Sequence, residues 1–177
     1  EKIKKEGGLI FEFIPPEINY IGFRKILDVD MKNDLPKYLN KYSKNSKKNI
    51  KEIIKFNLED SLIRAPYGQG IFKSITSNNT TDLEISEIKN RIKIEGKRYF
   101  DEAINKYDLD AVLSINNYHA SYAAGAYYPC LTVPMGYRES GVPSNLTFIG
   151  PSYSEKKLYQ LGYAFEKETK ERITPFN

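Results

Sequence analysis

Tyr128-Pro-Cys-Leu-Thr-Val-Pro-Met-Gly-Tyr137, followed closely by Gly141-Val-Pro-Ser-Asn-Leu-Thr-Phe-Ile-Gly150, is the passage whose reading decides the fold. Apolar and β-branched runs bounded by Pro and Gly are the pattern of buried strands, and the short polar stretch between the two runs suits a turn. Gly150-Pro151 stops the second strand. Beyond it, Ser154 is placed to cap a helix that buries Leu158, Leu161 and Phe165 on one face.

Working backwards from this hairpin, Leu109-Asp-Ala-Val-Leu-Ser-Ile115 reads as a short buried strand. It is followed by the Asn116–His119 loop and a small-residue turn of helix through Ala123-Ala-Gly125. Thr81-Asp-Leu-Glu84 has the spacing of a capping box, in which the Thr hydroxyl takes the N3 amide and the Glu reaches back. Behind it Ile85, Ile88, Ile92, Tyr99, Ala103 and Tyr107 trace one apolar face of a long helix that Gly96 weakens in its middle.

The first half of the chain reads as mostly helical. Residues 1–6 resemble the end of a helix stopped by Gly7-Gly8, and Leu9–Ile14 reads as a mostly buried strand ended by Pro15-Pro16. The stretch to Asp30 is ambiguous between extended chain and helix. From there Leu35, Tyr38, Leu39 and Tyr42 predict a helix capped by Asp34 with Pro36 in its first turn. A polar hinge, Ser43 to Asn49, leads to a second helix carrying Ile50, Ile53 and Ile54, and Pro66, Gly68 and Gly70 mark a loop. Alternating helices and apolar strands predict an α/β fold in which helices cover a mixed sheet. Residues 1–108 form its mainly helical region and 109–177 the region that completes the sheet, within a single domain or fragment of 1–177.

Composition narrows the class. A length of 177 residues suits one domain, and fourteen Tyr with nine Phe supply apolar area that a hydrophobic fraction of 40% would otherwise leave short. The net charge of +4 does not call for a nucleic-acid partner. One Cys excludes an internal disulfide, no Cys/His cluster offers a metal site, and no apolar run approaches the roughly 20 residues that span a bilayer. No cofactor is expected. The opening Glu1-Lys-Ile-Lys-Lys5 shows neither an initiator Met nor a leader pattern, so truncation is the expectation and the cytoplasm the default compartment.

Each candidate for chemistry has a plainer reading. The lysines between Lys41 and Lys55 read as a solvated helix face rather than a phosphate-binding run. Ser154-Glu-Lys-Lys157 matches Ser-x-x-Lys, yet a Ser entering a Lys-rich helix is the usual N-cap. Cys130 sits in a strand pattern where a thiol acts as a small apolar filler, which argues against a dyad with His119. No catalytic residue is assigned. Asn116, Asn117 and His119 lie at the C-terminal end of a sheet strand, where α/β folds place ligand sites, and are the candidate substrate contacts. The alternative for the asparagines is a polar turn closed by their own side chains.

Taken together, Leu109-Asp-Ala111, the Ala-rich turn, the Tyr128–Tyr137 strand, Gly141-Val-Pro143, Phe148-Ile-Gly150, Ser154-Glu155 and Tyr163-Ala-Phe-Glu-Lys-Glu-Thr169 resemble the C-terminal part of amidase-signature enzymes. Asp30-Met-Lys32 with Leu35, Tyr38 and Leu39, then Ile54–Asn57 and Tyr67-Gly-Gln69, are similar to the helical region before it. The likeness spans roughly residues 28–177 and is densest over 109–175. It departs from the family pattern at Ser114-Ile-Asn-Asn117 and at Asn145, where a Gly is usual.

The resemblance implies hydrolysis of a carboxamide by a Ser–Ser–Lys triad whose residues belong to a Gly/Ser-rich segment and an earlier lysine, neither of which occurs here. It also implies that this part of the family completes a central sheet and lines one wall of the cleft for a small amide substrate. The expected partner is the N-terminal part of a parent amidase, with self-association through uncovered apolar surface. A non-catalytic binding or interaction protein built on the same half-fold is the alternative. A third reading is an independent hydrolase using Ser154/Lys157 or Cys130/His119.

Overall fold

The computed structural model describes residues 1–174, ordered as α1 (Lys2–Lys5), α2 (Phe23–Tyr42), α3 (Ile50–Leu58), α4 (Ser61–Arg64) and α5 (Gly70–Ser77). The long α6 (Asp82–Tyr107) follows, then β1 (Val112–Ile115), α7 (Ala120–Ala126), β2 (Cys130–Tyr137), β3 (Pro143–Ile149) and α8 (Glu155–Thr169). These elements group into two compact units, residues 21–90 and residues 1–20 with 91–177.

The first of these units is helical. Gly22, in the left-handed conformation at φ 96°, opens α2, so the helix begins well before Asp34. Asp34 therefore does not cap it: it lies in the interior, pairing with Lys37 at 2.9 Å, and Pro36 is interior too. The reason lies in packing. Val29 and Asp28 are buried in the earlier turns, and Asp28 accepts a hydrogen bond from Ser74 at 3.0 Å while Arg24 Nε stands 2.9 Å from its other oxygen without hydrogen-bond alignment. Asn49 caps α3 by accepting from the Glu52 amide at 3.0 Å. Lys48 reaches back to the carbonyls of Leu39 and Ser43 at 3.1 and 2.6 Å, so one of the clustered lysines closes the end of α2. The turn around Gly68 is present, but α4 and α5 flank it where the sequence showed only a loop.

The capping box forms as read: the Thr81 amide donates to Glu84 Oε2 at 2.8 Å and the Glu84 amide to Thr81 Oγ1 at 3.3 Å. The Thr81 amide, and after it the Thr81 hydroxyl at 2.8 Å, donate to the Glu84 carboxyl and hold it below its ordinary range. Ile85 and Ile88 are buried in this unit, and Ile92, Phe100 and Ala103 farther along α6 in the other.

The second unit carries the sheet. Its strand order is β1-β3-β2, and both pairings are antiparallel, so the sheet is antiparallel rather than mixed among the described residues. Antiparallel pairing follows from the short β2–β3 joint, since only antiparallel neighbours can be linked by a tight turn. Of the two strands expected to be buried, β3 is, with Leu146, Thr147, Phe148 and Ile149 all below a tenth exposed; β2 buries Val133 alone. One face packs Val133, Leu146 and Phe148 on Leu158, Leu161 and Phe165 of α8. A methyl group at Gly162 would stand 2.4 Å from Leu131 Cδ2, so the glycine lets α8 lie close on the sheet. The other face packs Val112 and Ile149 with Phe100, Ala123, Ala126 and Tyr128.

Gly96 has a packing role. A Cβ there would lie 2.8 Å from the Tyr122 carbonyl oxygen and 2.9 Å from the Ala126 nitrogen, so α6 and α7 touch backbone to backbone at this point. The Leu9–Ile14 stretch departs from expectation. It belongs to no strand and makes no backbone hydrogen bond among the described residues, and Leu9 and Ile14 are 82% and 96% exposed. Strand identity needs a partner, and no described strand is paired with it. Gly7, at φ 85°, does end α1 as read, with the Gly8 amide returning to the Ile3 carbonyl at 3.0 Å.

Candidate functional site

Register places three hydroxyls in one row across the sheet: Ser114 on β1 opposite Thr147 on β3, and Thr147 opposite Thr132 on β2. All three sit on the face away from α8, because side chains alternate along a strand and Phe148 and Val133 occupy the α8 side. Thr147, only 2% exposed, donates its single hydroxyl proton to the Asn116 carbonyl. Thr132 must therefore be the donor across the 2.8 Å contact between the two threonine hydroxyls.

Asn116 ends β1 in the left-handed conformation, at φ 52°, which asparagine tolerates better than most residues. Its amide donates to the Asn145 carbonyl at 2.8 Å and its side-chain oxygen accepts from the Asn145 amide at 2.9 Å. Every one of these bonds is spent on joining the loop to β3, so Asn116 acts as the lock of the turn. Asn117 is exposed, and its carbonyl accepts from the Ala120 amide at 3.0 Å to start α7.

His119 is half-buried, with Nδ1 2.7 Å from Ser114 Oγ. Ser114 is 4% exposed, so a serine proton directed at Nδ1 is satisfied, whereas the reverse arrangement would strand it. That choice leaves the imidazole proton on Nε2. The ring is flanked by Tyr99 and Tyr122 at centroid distances of 5.8 and 6.2 Å, and Tyr122 packs edge-on against Tyr20 at 4.7 Å. Burial raises the Tyr99 phenol above the ordinary tyrosine value and pushes Tyr20 up to about 12. Tyr128, which donates to Asp101, is raised further, first by burial and then by that carboxylate. These phenols are neutral donors at physiological pH. Sequence reasoning missed Ser114, Thr147, Tyr99 and Tyr122 as the setting of His119, because the register that aligns them is not written in any one segment.

The two dyads weighed from the sequence are not assembled. Ser154 stands at the N-cap position of α8, but its Oγ makes no cap hydrogen bond and is buried without a partner, while Lys157 pairs with Asp110 at 2.8 Å. Cys130 Sγ lies 4.0 Å from the Tyr128 carbonyl, and among the described residues the hydrogen bond of the His119 ring goes to Ser114. Cys130 is exposed rather than an apolar filler, and partial desolvation of its thiol raises it above its ordinary value, the opposite of what an activated nucleophile needs. Among the described residues no group of three or more His, Cys, Asp or Glu is placed to hold a metal ion, and no helix is long and apolar enough to cross a membrane.

The one hydroxyl with a base beside it, Ser114 on His119 Nδ1, is 4% exposed, so the row offers an imidazole that can orient a polar ligand but no solvent-exposed nucleophile beside a base. A probable amidase of Arabidopsis thaliana is 25% identical over 98% of this chain and 36% of its own length. A crystal structure of an amidase family protein from Bacillus anthracis superposes with a TM-score of 0.87 at 29% identity, covering 99% of this chain and 35% of the other. The peptide amidase of Stenotrophomonas maltophilia shares the fold, with a TM-score of 0.84 at 24% identity over 99% of this chain and 39% of its own. No family model matches the chain. The likeness read from the residues is borne out: the chain is related to amidases over a stretch that spans 35–39% of these relatives.

Proposed function

We propose that this amidase-related chain is the C-terminal part of a hydrolase of carbon–nitrogen amide bonds, and that it supplies one wall of the substrate cleft. The nucleophile and its base come from the rest of a longer polypeptide, as the family's Ser–Ser–Lys chemistry requires. The observation that carries this reading is the match to an amidase family protein over 99% of the chain at 29% identity. Within the wall, His119 is the residue we assign to substrate contact, its Nε2 proton donating to a substrate carbonyl, with the exposed Asn117 as a second contact. Asn116 serves the site indirectly by locking the turn that holds His119.

The test uses the complete reading frame that encodes this sequence, assayed for ammonia release from small carboxamides. His119→Ala is expected to raise KM several-fold more than it lowers kcat, as loss of a binding contact does. Asn117→Ala is expected to have a smaller effect of the same kind. Full activity with an unchanged KM in His119→Ala would remove His119 from the site, and a product without amide hydrolysis would remove the reading.

A further inference from the structure

Tyr20 is built into α7, the helix that His119 opens. The Tyr20 hydroxyl donates to the Ser121 carbonyl, and the Gly125 amide approaches the same oxygen as a hydrogen-bond donor. Ser121 and Gly125 stand at i and i+4, so in an undisturbed helix that carbonyl and that amide bond to each other. A side-chain hydroxyl placed between them sits in the ladder itself, one of the few causes that bend or open a helical turn. Glycine at 125 makes room for it. A Cβ there would collide with the Tyr20 hydroxyl and lie 2.6 Å from Ile92 Cγ2.

The chain that brings Tyr20 to this place is tied to α6. The Asn19 amide donates to Glu95 Oε2 at 3.3 Å, Arg98 donates to the Glu17 carbonyl, and Arg98 pairs with Glu95 at 2.7 Å. With its backbone held at these points, the phenol reaches α7 as a strut. It meets the turn twice, at the Ser121 carbonyl and edge-on at the Tyr122 ring, which also neighbours Tyr99 at 4.9 Å and His119 at 6.2 Å. His119 is the N-cap residue of the same turn, and its carbonyl takes the Ala123 amide at 3.0 Å. Ser114 fixes the imidazole from the sheet side, and Tyr20 fixes the turn that carries it.

We infer that Tyr20 is a positioning residue for the candidate site: its hydroxyl, lodged in the α7 ladder, sets the turn from which His119 presents Nε2. This rests on the assignment of His119 to substrate contact. Phenylalanine would fill the same space against Tyr122 but would leave the Ser121 carbonyl and the Gly125 amide to close on each other, tightening the turn behind His119. Tyr20 itself touches no substrate; it acts through Ser121 and Tyr122.

The chain has a single histidine, so isotope-labelled histidine gives one pair of ring-nitrogen signals by NMR, whose positions report tautomer and surroundings. Two variants are compared. Tyr20→Phe removes the hydroxyl alone. Phe11→Leu loosens the same N-terminal segment at its stack on Tyr107, about three turns along α6 from the α7 contact at Gly96. Tyr20→Phe is expected to stay folded by urea unfolding, since its ring packing is kept and the two freed backbone groups pair, and to displace the His119 signals. Phe11→Leu is expected to lower stability and leave those signals in place. Unmoved signals in folded Tyr20→Phe would overturn the inference. Equal displacement in the two variants would overturn it too, since Tyr20 would then be one more packing residue. In the complete reading frame, Tyr20→Phe is expected to raise KM more than it lowers kcat, by less than His119→Ala does. Displaced signals with an unchanged KM would uphold the hold on the turn and remove His119 from substrate contact, so the two failures are distinguishable.

Discussion

The two faces of the sheet solve opposite problems with the same three strands. Toward α8 the contacts are apolar, and the closeness allowed by Gly162 makes the packing tight. Away from α8, the aligned hydroxyls spend their hydrogen bonds within the chain, Thr132 on Thr147, Thr147 on the Asn116 carbonyl and Ser114 on His119. The first face is built for stability, and its cost of disruption is a cavity. The second is built for orientation, and disrupting it leaves buried polar groups unpaired. A face whose one hydroxyl–base pair, Ser114 with His119, is closed in at 4% exposure beside Thr147 at 2% is suited to holding a ligand rather than transforming it.

Substitutions separate the two. Phe148→Ala, on the α8 face, is expected to cost about 3–5 kcal/mol by urea unfolding, since Phe148 is 4% exposed and its loss opens a cavity against Phe165. Gly96→Ala should also destabilise, by about 1–3 kcal/mol. Helix propensity alone would favour alanine by about 1 kcal/mol, but the new methyl meets backbone atoms of α7 at 2.8 and 2.9 Å. A stabilised Gly96→Ala would show that the α6–α7 contact under the polar face is loose.

Thr147→Val tests the row itself. It is expected to cost about 1–3 kcal/mol by leaving the Asn116 carbonyl without its donor, while Thr132→Val, at the exposed end, stays within about 0.5 kcal/mol. Equal effects would mean that the row is not polarised from a buried centre to an exposed rim. The smallest effect concerns Cys130, whose thiol burial holds above its ordinary value. Its alkylation by iodoacetamide at neutral pH is expected to lag behind that of free cysteine and to catch up only as the pH rises past the ordinary thiol range.

Local signals were legible and pairings were not. The Thr81–Glu84 box, the helix carrying Ile50, Ile53 and Ile54, the β2–β3 hairpin and the apolar face of α8 are each encoded within a few residues and appear where they were expected. The start of α2 was not legible, because Arg24 and Asp28 meet an ion pair and a buried serine contact rather than an apolar stripe. Leu9–Ile14 has strand composition but no strand, since a ladder belongs to two segments and the sequence shows one. The site divides in the same way. His119 could be named from its place in the chain, whereas Ser114, Tyr99 and Tyr122, which hold it, come together only through register and packing.

The central proposal is that these 177 residues supply one wall of an amidase site whose chemistry lies in the rest of a longer polypeptide. Purified chain incubated with a panel of small carboxamides, with ammonia measured enzymatically, tests it most directly. The expected result is release no faster than in a buffer blank. Turnover by the isolated chain that is lost in Ser154→Ala or Cys130→Ala would contradict the account and place a nucleophile where the geometry shows none assembled.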